Sequence, residues 1–149
     1  MQPARPIPRW LAPVLALLAL VGFGDATYLS IEHFSGAIPP CTIHGCETVL
    51  TSAYSTIFGI PIALLGALYY FALLVIYLVY FEAHDARALN IALRLSVLGF
   101  LADLWFVSAQ AFIIHAWCQY CLLSALMSTL IFIISYWYLI SARMERRER

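Results

Sequence analysis

The four cysteines are the residues of this chain whose spacing points most clearly to chemistry. Cys41 and Cys46 enclose Thr-Ile-His-Gly, and Cys118 and Cys121 form a Cys-Gln-Tyr-Cys motif. A Cys-x-x-Cys pair at a helix start is typically reactive, because the helix dipole and free N–H groups stabilise a thiolate. Its two sulfurs, three residues apart, meet on one helical face. The first pair follows Pro39-Pro40 in a predicted flexible loop, so the pattern indicates thiol–disulfide exchange between a mobile and an anchored pair.

Three other interpretations of the cysteines stay open. They can be small apolar residues of helices, since free cysteine is often buried. They can form two fixed disulfides in a membrane scaffold that catalyses nothing, which predicts no exchange between the pairs. They can also bind zinc, alone or with Asp103 in a metal-binding or transport bundle, which predicts stoichiometric zinc. An oxidising compartment is a poor place to keep four thiolates reduced, so we expect no metal site.

The composition limits the class of protein. Of the 149 residues, 64% are hydrophobic and 11% are charged, and the mean hydropathy is +0.89. A soluble domain has about 45–50% apolar and about 25% charged residues. These values exclude a soluble enzyme, a disordered chain and a protein that binds nucleic acid through a basic patch. We expect a single membrane domain over residues 1–149.

Four stretches are long and apolar enough to cross a bilayer, which takes about 20 helical residues. They extend over about Trp10–Ile31, Ile57–Phe81, Ala88–Ile114 and Trp117–Ile140. Because lipid offers no partner for backbone N–H and C=O groups, segments of this length are expected to be helices. The sequence therefore predicts an all-α, multi-pass membrane protein with four transmembrane helices in a bundle.

The basic residues predict the orientation of this bundle. All are arginines, and they lie before the first span, around the connection between the second and third, and after the fourth: Arg5, Arg9, Arg87, Arg94, Arg143, Arg146, Arg147 and Arg149. Residues 33–56 and 115–117 contain none. Since arginine-rich segments stay in the cytoplasm, both termini are expected there. Both cysteine pairs would then lie on the extracytoplasmic face.

The motifs around the cysteines resemble those of one known family. In chain order they are Asp25-Ala-Thr-Tyr-Leu, Cys41, Gly45-Cys46-Glu-Thr-Val, Ser52, Phe58-Gly-Ile-Pro61 and Cys118-Gln-Tyr-Cys121. This order, with the spaced pair first and Cys-x-x-Cys last, resembles the bacterial and archaeal homologues of vitamin K epoxide reductase. The quinone-linked disulfide oxidase of the periplasm has the reverse order. The resemblance extends from Asp25 to about Ser124.

The resemblance implies a role for each cysteine. Cys41 would meet an external thioredoxin-like partner, and Cys46 would pass electrons to Cys118 through a transient disulfide between the pairs. Cys121 would face a membrane quinone, either ubiquinone or menaquinone. Many family members carry a fused thioredoxin-like domain after the last helix. Because this chain ends without one, we expect the partner to be a separate extracytoplasmic protein.

The activity implied by the resemblance is that of a thiol oxidoreductase in a prokaryotic cytoplasmic membrane. It would reoxidise the thioredoxin-like partner and deliver two electrons to the quinone, while the protein supplies a dry pocket and ordered thiols. The output would be disulfide formation in exported proteins, since a quinone-linked route keeps a periplasm oxidising.

Two polar residues are candidates for contact with the quinone. The resemblance places Ser52, six residues after Cys46, near the quinone site. Asp25 lies six residues before the predicted outer end of the first helix, about 9 Å deep at the helical rise. An acid at this depth is a functional candidate, for bonding a quinone carbonyl or donating a proton. A structural hydrogen bond inside the bundle is the other interpretation.

Two further polar residues lie deeper in the third span. Asp103 is near its middle, and Gln110 follows seven residues later on the same helical face. Hydrogen bonds between helices commonly stabilise membrane bundles. We therefore expect structural contacts from both side chains.

Overall fold

Long helices make up most of the described part of the chain. The structure is a computed structural model that describes residues 8–84 and 86–147. Its helices are α1 (Leu11–Ser35), α2 (Cys46–Leu50), α3 (Ile62–Ala83), α4 (Ala86–Ala109) and α5 (Gln119–Arg147). A 3₁₀ turn (Ala53–Ser55) and an antiparallel hairpin of β1 (Thr56–Ile57) and β2 (Ile60–Pro61) lie between α2 and α3. One π-helical turn (Gln110–Ile114) extends α4.

Four of these helices are long and apolar enough to cross a membrane. The candidate spans are Leu11–Ser35, Ile62–Ala83, Arg87–Ile114 and Gln119–Ser141. Their outer surfaces expose large apolar side chains such as Leu17, Leu98 and Trp137. Such a surface would drive association in water, but around a membrane bundle it is the surface that lipid covers. The predicted set of four membrane-length helices is confirmed.

The helices pack so that two pairs lie diagonally across the bundle. The most extensive contacts of α1 are with α3 and α5, and those of α4 are with the same two helices. Thus α1 and α4 occupy opposite corners. Buried side chains from all four helices form a common core, including Leu15, Leu73, Leu93 and Ile131. Small residues such as Ala19 permit the close helix approach that membrane bundles favour.

The start of the second span differs from the prediction. Residues 57–61 form the hairpin instead of the first turn of a helix, and α3 begins at Ile62. Phe58 and Gly59 have φ angles of 51° and 79°, which no α-helix contains. Pro61 precedes the helix as its N-cap residue. Hydropathy alone extends through these residues because the hairpin is itself apolar.

The end of the first span also differs, and this changes the position of Asp25. Helix α1 continues four residues beyond Ile31 to Ser35, where Gly36 ends it in the left-handed conformation (φ 71°). Asp25 therefore lies ten residues from the end of α1, about 15 Å at the helical rise. The predicted distance of about 9 Å between Asp25 and the end of the helix was therefore too short.

Candidate functional site

The Cys-x-x-Cys pair forms the beginning of α5. Cys118 immediately precedes the helix, and its carbonyl accepts the first helical bond, from Leu122. Its Sγ accepts the backbone N–H of Cys121 at 3.3 Å and the thiol of Cys121 at 2.8 Å. Cys118 thus acts as the N-cap, with sulfur where Ser or Asp would offer oxygen. The fold places the more anionic sulfur of the pair at the positive end of a helix.

These contacts set the electrostatics of Cys118. The hydrogen bond from the Cys121 thiol holds the pKa of the Cys118 thiol below its ordinary value. The N–H groups of Cys121 and Tyr120 act in the same direction, and burial opposes them. Since the thiolate is the nucleophile in disulfide exchange, Cys118 is the member of the pair prepared to attack or to form a disulfide.

Gln110 holds the position of Cys118. The π turn at the end of α4 and the left-handed residue His115 (φ 55°) reverse the chain between α4 and α5. Gln110 is buried in this turn, and its Oε1 accepts the N–H of Cys118 at 2.9 Å. The structural contact expected of Gln110 is therefore present, and its partner is the backbone of the reactive cysteine.

The loop pair forms a disulfide in the structure. Cys41 and Cys46 are joined, with their Cα atoms 6.1 Å apart. Cys46 is the first residue of α2 and is fully buried, whereas Cys41 is partly exposed. A thiol arriving from outside can therefore approach the sulfur of Cys41 more readily than that of Cys46.

The loop is fastened to α5 by the two residues between the anchored cysteines. The Oε1 of Gln119 accepts the backbone N–H of Thr42 at 3.0 Å and also its hydroxyl. The Tyr120 hydroxyl donates to the carbonyl of Pro40 at 2.7 Å. The loop predicted to be flexible is thus held against α5 by these hydrogen bonds.

Gly45 allows the loop to approach the turn before Cys118. Its φ is 127°, and a β-carbon there would lie 2.9 Å from the backbone nitrogen of Trp117. Only glycine tolerates both this conformation and this approach. The contact brings Cys46, the next residue, into one buried cluster with Cys118 and Val49. Cys41 and Cys121 pack against that cluster, so the structure brings all four cysteines together.

Gly45→Ala is expected to separate the pairs and slow exchange between them by at least tenfold, because the new β-carbon displaces the backbone at Trp117. Gly59→Ala is the matched control: Gly59 also has a positive φ (79°), but nothing lies within 4 Å of a β-carbon there. The measurement is the rate at which the Cys118–Cys121 disulfide reoxidises a reduced loop pair, followed by quenched thiol alkylation. Equal rates in the two variants would contradict the assigned role of Gly45.

A cavity of about 1050 Å³ lies beside the cysteine cluster. Its walls come from α1, α3, α4, α5 and the segment between α2 and α3, and they are mostly apolar. Among the four cysteines, Cys121 alone lines it. Asp25 and Ser52 also line it. The three residues that the sequence assigned to quinone contact therefore share one cavity.

A comparison with known families assigns the chain to one of them. The sequence model of the vitamin K epoxide reductase family matches residues 13–136, which include both cysteine pairs and all four candidate spans nearly complete. The chain belongs to the vitamin K epoxide reductase family. This is a family of redox enzymes, and it indicates a membrane disulfide oxidoreductase. None of the curated proteins compared with the chain matches it.

The polar groups in the cavity of this vitamin K epoxide reductase family member are incompletely paired. Ser52 donates its hydroxyl to the carbonyl of Val49 at 2.7 Å. In contrast, the Oδ2 atoms of Asp25 and Asp103 are buried without a hydrogen-bond partner. Asp103 has the expected structural contact with another helix, through Ser128 of α5, while its Oδ2 atom makes none. Buried polar atoms are usually paired, so unpaired ones that line a cavity point to a ligand or to water.

The zinc interpretation requires four free thiolates. In the structure, the Cys41–Cys46 disulfide removes two of these four thiolates. Within residues 8–84 and 86–147, no group of three or more His, Cys, Asp or Glu side chains is arranged to hold a metal ion.

Proposed function

We propose that this protein reoxidises an extracytoplasmic thioredoxin-like partner and transfers the two electrons to a membrane quinone. The output is disulfide formation in exported proteins. The observation that carries the proposal is the position of Cys121, which belongs to the same cluster as the loop disulfide yet lines a large apolar cavity. It is the group at which a thiol relay and a lipid-soluble acceptor can meet.

Electrons enter at Cys41. Its partial exposure, beside a fully buried Cys46, supports attack by the partner's thiolate on the Cys41 sulfur. The disulfide to Cys46 then breaks, and a second thiol of the partner resolves the mixed disulfide. The partner leaves oxidised, and the loop pair is left as a dithiol.

The loop pair then reduces the anchored pair. The Cys46 thiolate attacks the Cys118 sulfur of a Cys118–Cys121 disulfide, and Cys121 leaves as a thiolate. Cys41 attacks Cys46 in turn, which restores the loop disulfide and leaves Cys118 and Cys121 reduced. The structure, with one disulfide in the loop and a free Cys118 and Cys121, has the covalent pattern that follows this step.

The cavity supports a quinone as the acceptor. Ligand pockets usually measure about 300–1,000 Å³ and combine apolar walls with a few placed polar groups. A volume of about 1050 Å³ suits a quinone ring with part of its isoprenoid tail. Ubiquinone and menaquinone both meet this description. Because Ser52 already donates to Val49, it is suited to accept a hydrogen bond from the quinol hydroxyl.

We propose that the relay lies outside the cytoplasm. The loop and the turn before α5 are joined by hydrogen bonds at one end of the bundle, whereas Arg87, at the start of α4, and Arg147, at the end of α5, belong to the other end. By the positive-inside rule the arginine end, with both termini, is cytoplasmic. The membrane is the cytoplasmic membrane, and the partner works on its outer side.

The relay is tested by trapping its intermediate. The double variant Cys41→Ala/Cys121→Ala leaves Cys46 and Cys118 without their usual partners, so mild oxidation should join them in nearly every molecule. Non-reducing peptide mapping would detect the Cys46–Cys118 bond. Cys41→Ala/Cys118→Ala is the matched control, in which this bond cannot form. Two unmodified thiols in the first variant, after oxidation that restores the wild-type loop disulfide, would contradict the proposal.

A further inference from the structure

Two carboxyl groups line the same cavity from opposite corners of the bundle. Asp25 belongs to α1 and Asp103 to α4, the two helices that lie diagonally. Each has an Oδ2 atom that is buried without a hydrogen-bond partner. Carboxyl groups inside a membrane are costly and commonly functional. The mechanism proposed above uses neither.

The two carboxyl groups have different surroundings. Asp25 is close enough to Cys118 and Cys121 to interact electrostatically with both. Asp103 instead has Tyr69, Tyr70 and Ser128 as its interacting neighbours. Tyr70 interacts with both carboxyls, and its hydroxyl is fixed on the Ser124 carbonyl at 2.7 Å. Asp25 therefore marks the cysteine side of the cavity. Ser128, which lies against α4 one turn before Asp103, is seven residues further along α5 than Cys121, about 10 Å at the helical rise, so Asp103 marks the side away from the cysteines.

The surroundings of Asp103 form a polar group of their own. Tyr69 Oη and Ser128 Oγ both lie against Gly99, four residues before Asp103 on α4. A β-carbon at Gly99 would lie 2.8 Å from Ser128 Oγ and would overlap Tyr69 Oη. The Ser128 hydroxyl is close enough to interact with both the Tyr69 hydroxyl and the Asp103 carboxyl, and Ser128 is 1% exposed. The Oδ2 atom of Asp103 is still buried without a partner, and such an atom on a cavity wall indicates that something polar binds there.

The proton balance of quinone reduction requires an acid in addition to Cys121. A quinone takes up two electrons and two protons, one proton at each of two oxygens on opposite sides of the ring. A reduced pair with Cys118 as a thiolate supplies both electrons but only the one proton of Cys121. The second proton must come from another acid. The near wall offers Asp25 beside Cys121, and the far wall offers Asp103.

We infer that Asp103 is the acid that protonates the quinone oxygen directed away from Cys121, and that Tyr69 and Ser128 orient its carboxyl group. The inference rests on the proposed function. In this step the Cys118 thiolate and the Cys121 thiol form a disulfide and release two electrons to the quinone. The Cys121 proton goes to the near oxygen and the Asp103 proton to the far oxygen. Quinol leaves, and Asp103 remains as a carboxylate until water reprotonates it.

A single-turnover experiment tests this role directly. The purified protein is reduced, freed of reductant and mixed with a short-chain ubiquinone, and quinol formation is followed by absorbance between pH 5 and 9. Asp103→Asn is expected to lower the rate by about 10²-fold or more, since general acids contribute about 10²–10⁴-fold. The wild-type rate should rise with pH while Cys118 becomes a thiolate and fall again where Asp103 loses its proton. The variant should keep the rise and lose the fall. Asp103→Glu should restore both rate and pH profile in part.

Two further variants separate catalysis from structure. Tyr69→Phe keeps the acid but removes an orienting hydroxyl, so we expect a loss of about tenfold with the pH profile retained. Thr27→Val is the control, because Thr27 has an unpaired buried hydroxyl but lines a separate groove between α1 and α3. An Asp103→Asn rate and pH profile equal to those of wild type would overturn the inference and leave the proposed function standing. Wild-type protein that forms no quinol would overturn both.

Discussion

Replacing Cys121 by alanine is expected to reduce quinone reduction to the uncatalysed background, a loss of at least 10³-fold. The physical reason is that no disulfide can form at α5 without this sulfur, so the two electrons held by the dithiol have no outlet. Cys121 is also the cysteine among the four that lines the cavity. The remaining thiolate of Cys118 lies in the buried cluster and cannot transfer two electrons alone.

The measurement for Cys121→Ala is the steady-state rate of quinol formation with a reduced thioredoxin-like donor. Met127→Leu is a suitable control, because Met127 belongs to the same helix but packs against the core outside the cavity. A volume-conserving substitution of this kind usually costs less than about 1.5 kcal/mol. If Cys121→Ala retained more than a few per cent of the control rate, the quinone would have to be reduced by a cysteine other than Cys121.

Replacing Cys41 by alanine is expected to separate the two halves of the reaction. Turnover with the protein donor should fall at least 10³-fold, because the buried Cys46 offers an external thiol neither a disulfide nor an exposed sulfur. The reduced Cys118 and Cys121 pair is unchanged, so one equivalent of quinol should still form at the wild-type rate in a single turnover. Cys41→Ala is thus expected to lose donor-driven turnover and to keep single-turnover quinol formation.

Both halves can be measured on one preparation of Cys41→Ala. Stopped-flow mixing of chemically reduced protein with quinone gives the single-turnover rate, and addition of excess reduced donor gives the steady state. Donor-driven turnover near the wild-type rate would mean that the partner reaches Cys46 or Cys118 directly. Loss of the single turnover would mean that Cys41 has a part in the quinone step, which the relay does not allow.

The sequence was sufficient to predict the four spans because their signal is local. Each needs only a run of apolar residues of the right length, as in Leu11–Ser35. The errors at the ends have physical causes. The apolar Ile57–Pro61 segment has the hydropathy of a helix, but positive φ angles at Phe58 and Gly59 turn it into a hairpin.

The parts of the candidate site that could be predicted are those whose residue type alone indicates their chemistry. The two cysteine motifs and Asp25 are conspicuous by type and depth, and the structure collects them around one cluster and one cavity. The contacts that hold them could not be predicted, because they join distant parts of the chain. Gln119 bonds Thr42 across 77 positions, and Tyr120 bonds Pro40 across 80. Neither residue type nor hydropathy specifies such partners.

The surroundings of Asp103 could not be predicted from the sequence for a similar reason. Hydropathy correctly placed it deep in a span, and a structural hydrogen bond between helices is the usual state of such a residue. Whether a side chain faces a neighbouring helix or a cavity depends on how α4 is rotated against α3 and α5. The close approach of Tyr69 and Ser128 to α4 at Gly99 is one such packing contact between distant parts of the chain.

The most direct test of the account is the coupling of donor oxidation to quinone reduction in the wild-type protein. The protein, in lipid nanodiscs without oxygen, would receive a reduced thioredoxin-like donor and a ubiquinone or menaquinone analogue, with quinol and donor disulfide counted together. A relay from the donor to the quinone predicts rapid turnover with one quinol formed for each donor disulfide. No quinol with either analogue, while thiol counting finds all four cysteines permanently oxidised, would contradict it and favour a scaffold with two fixed disulfides.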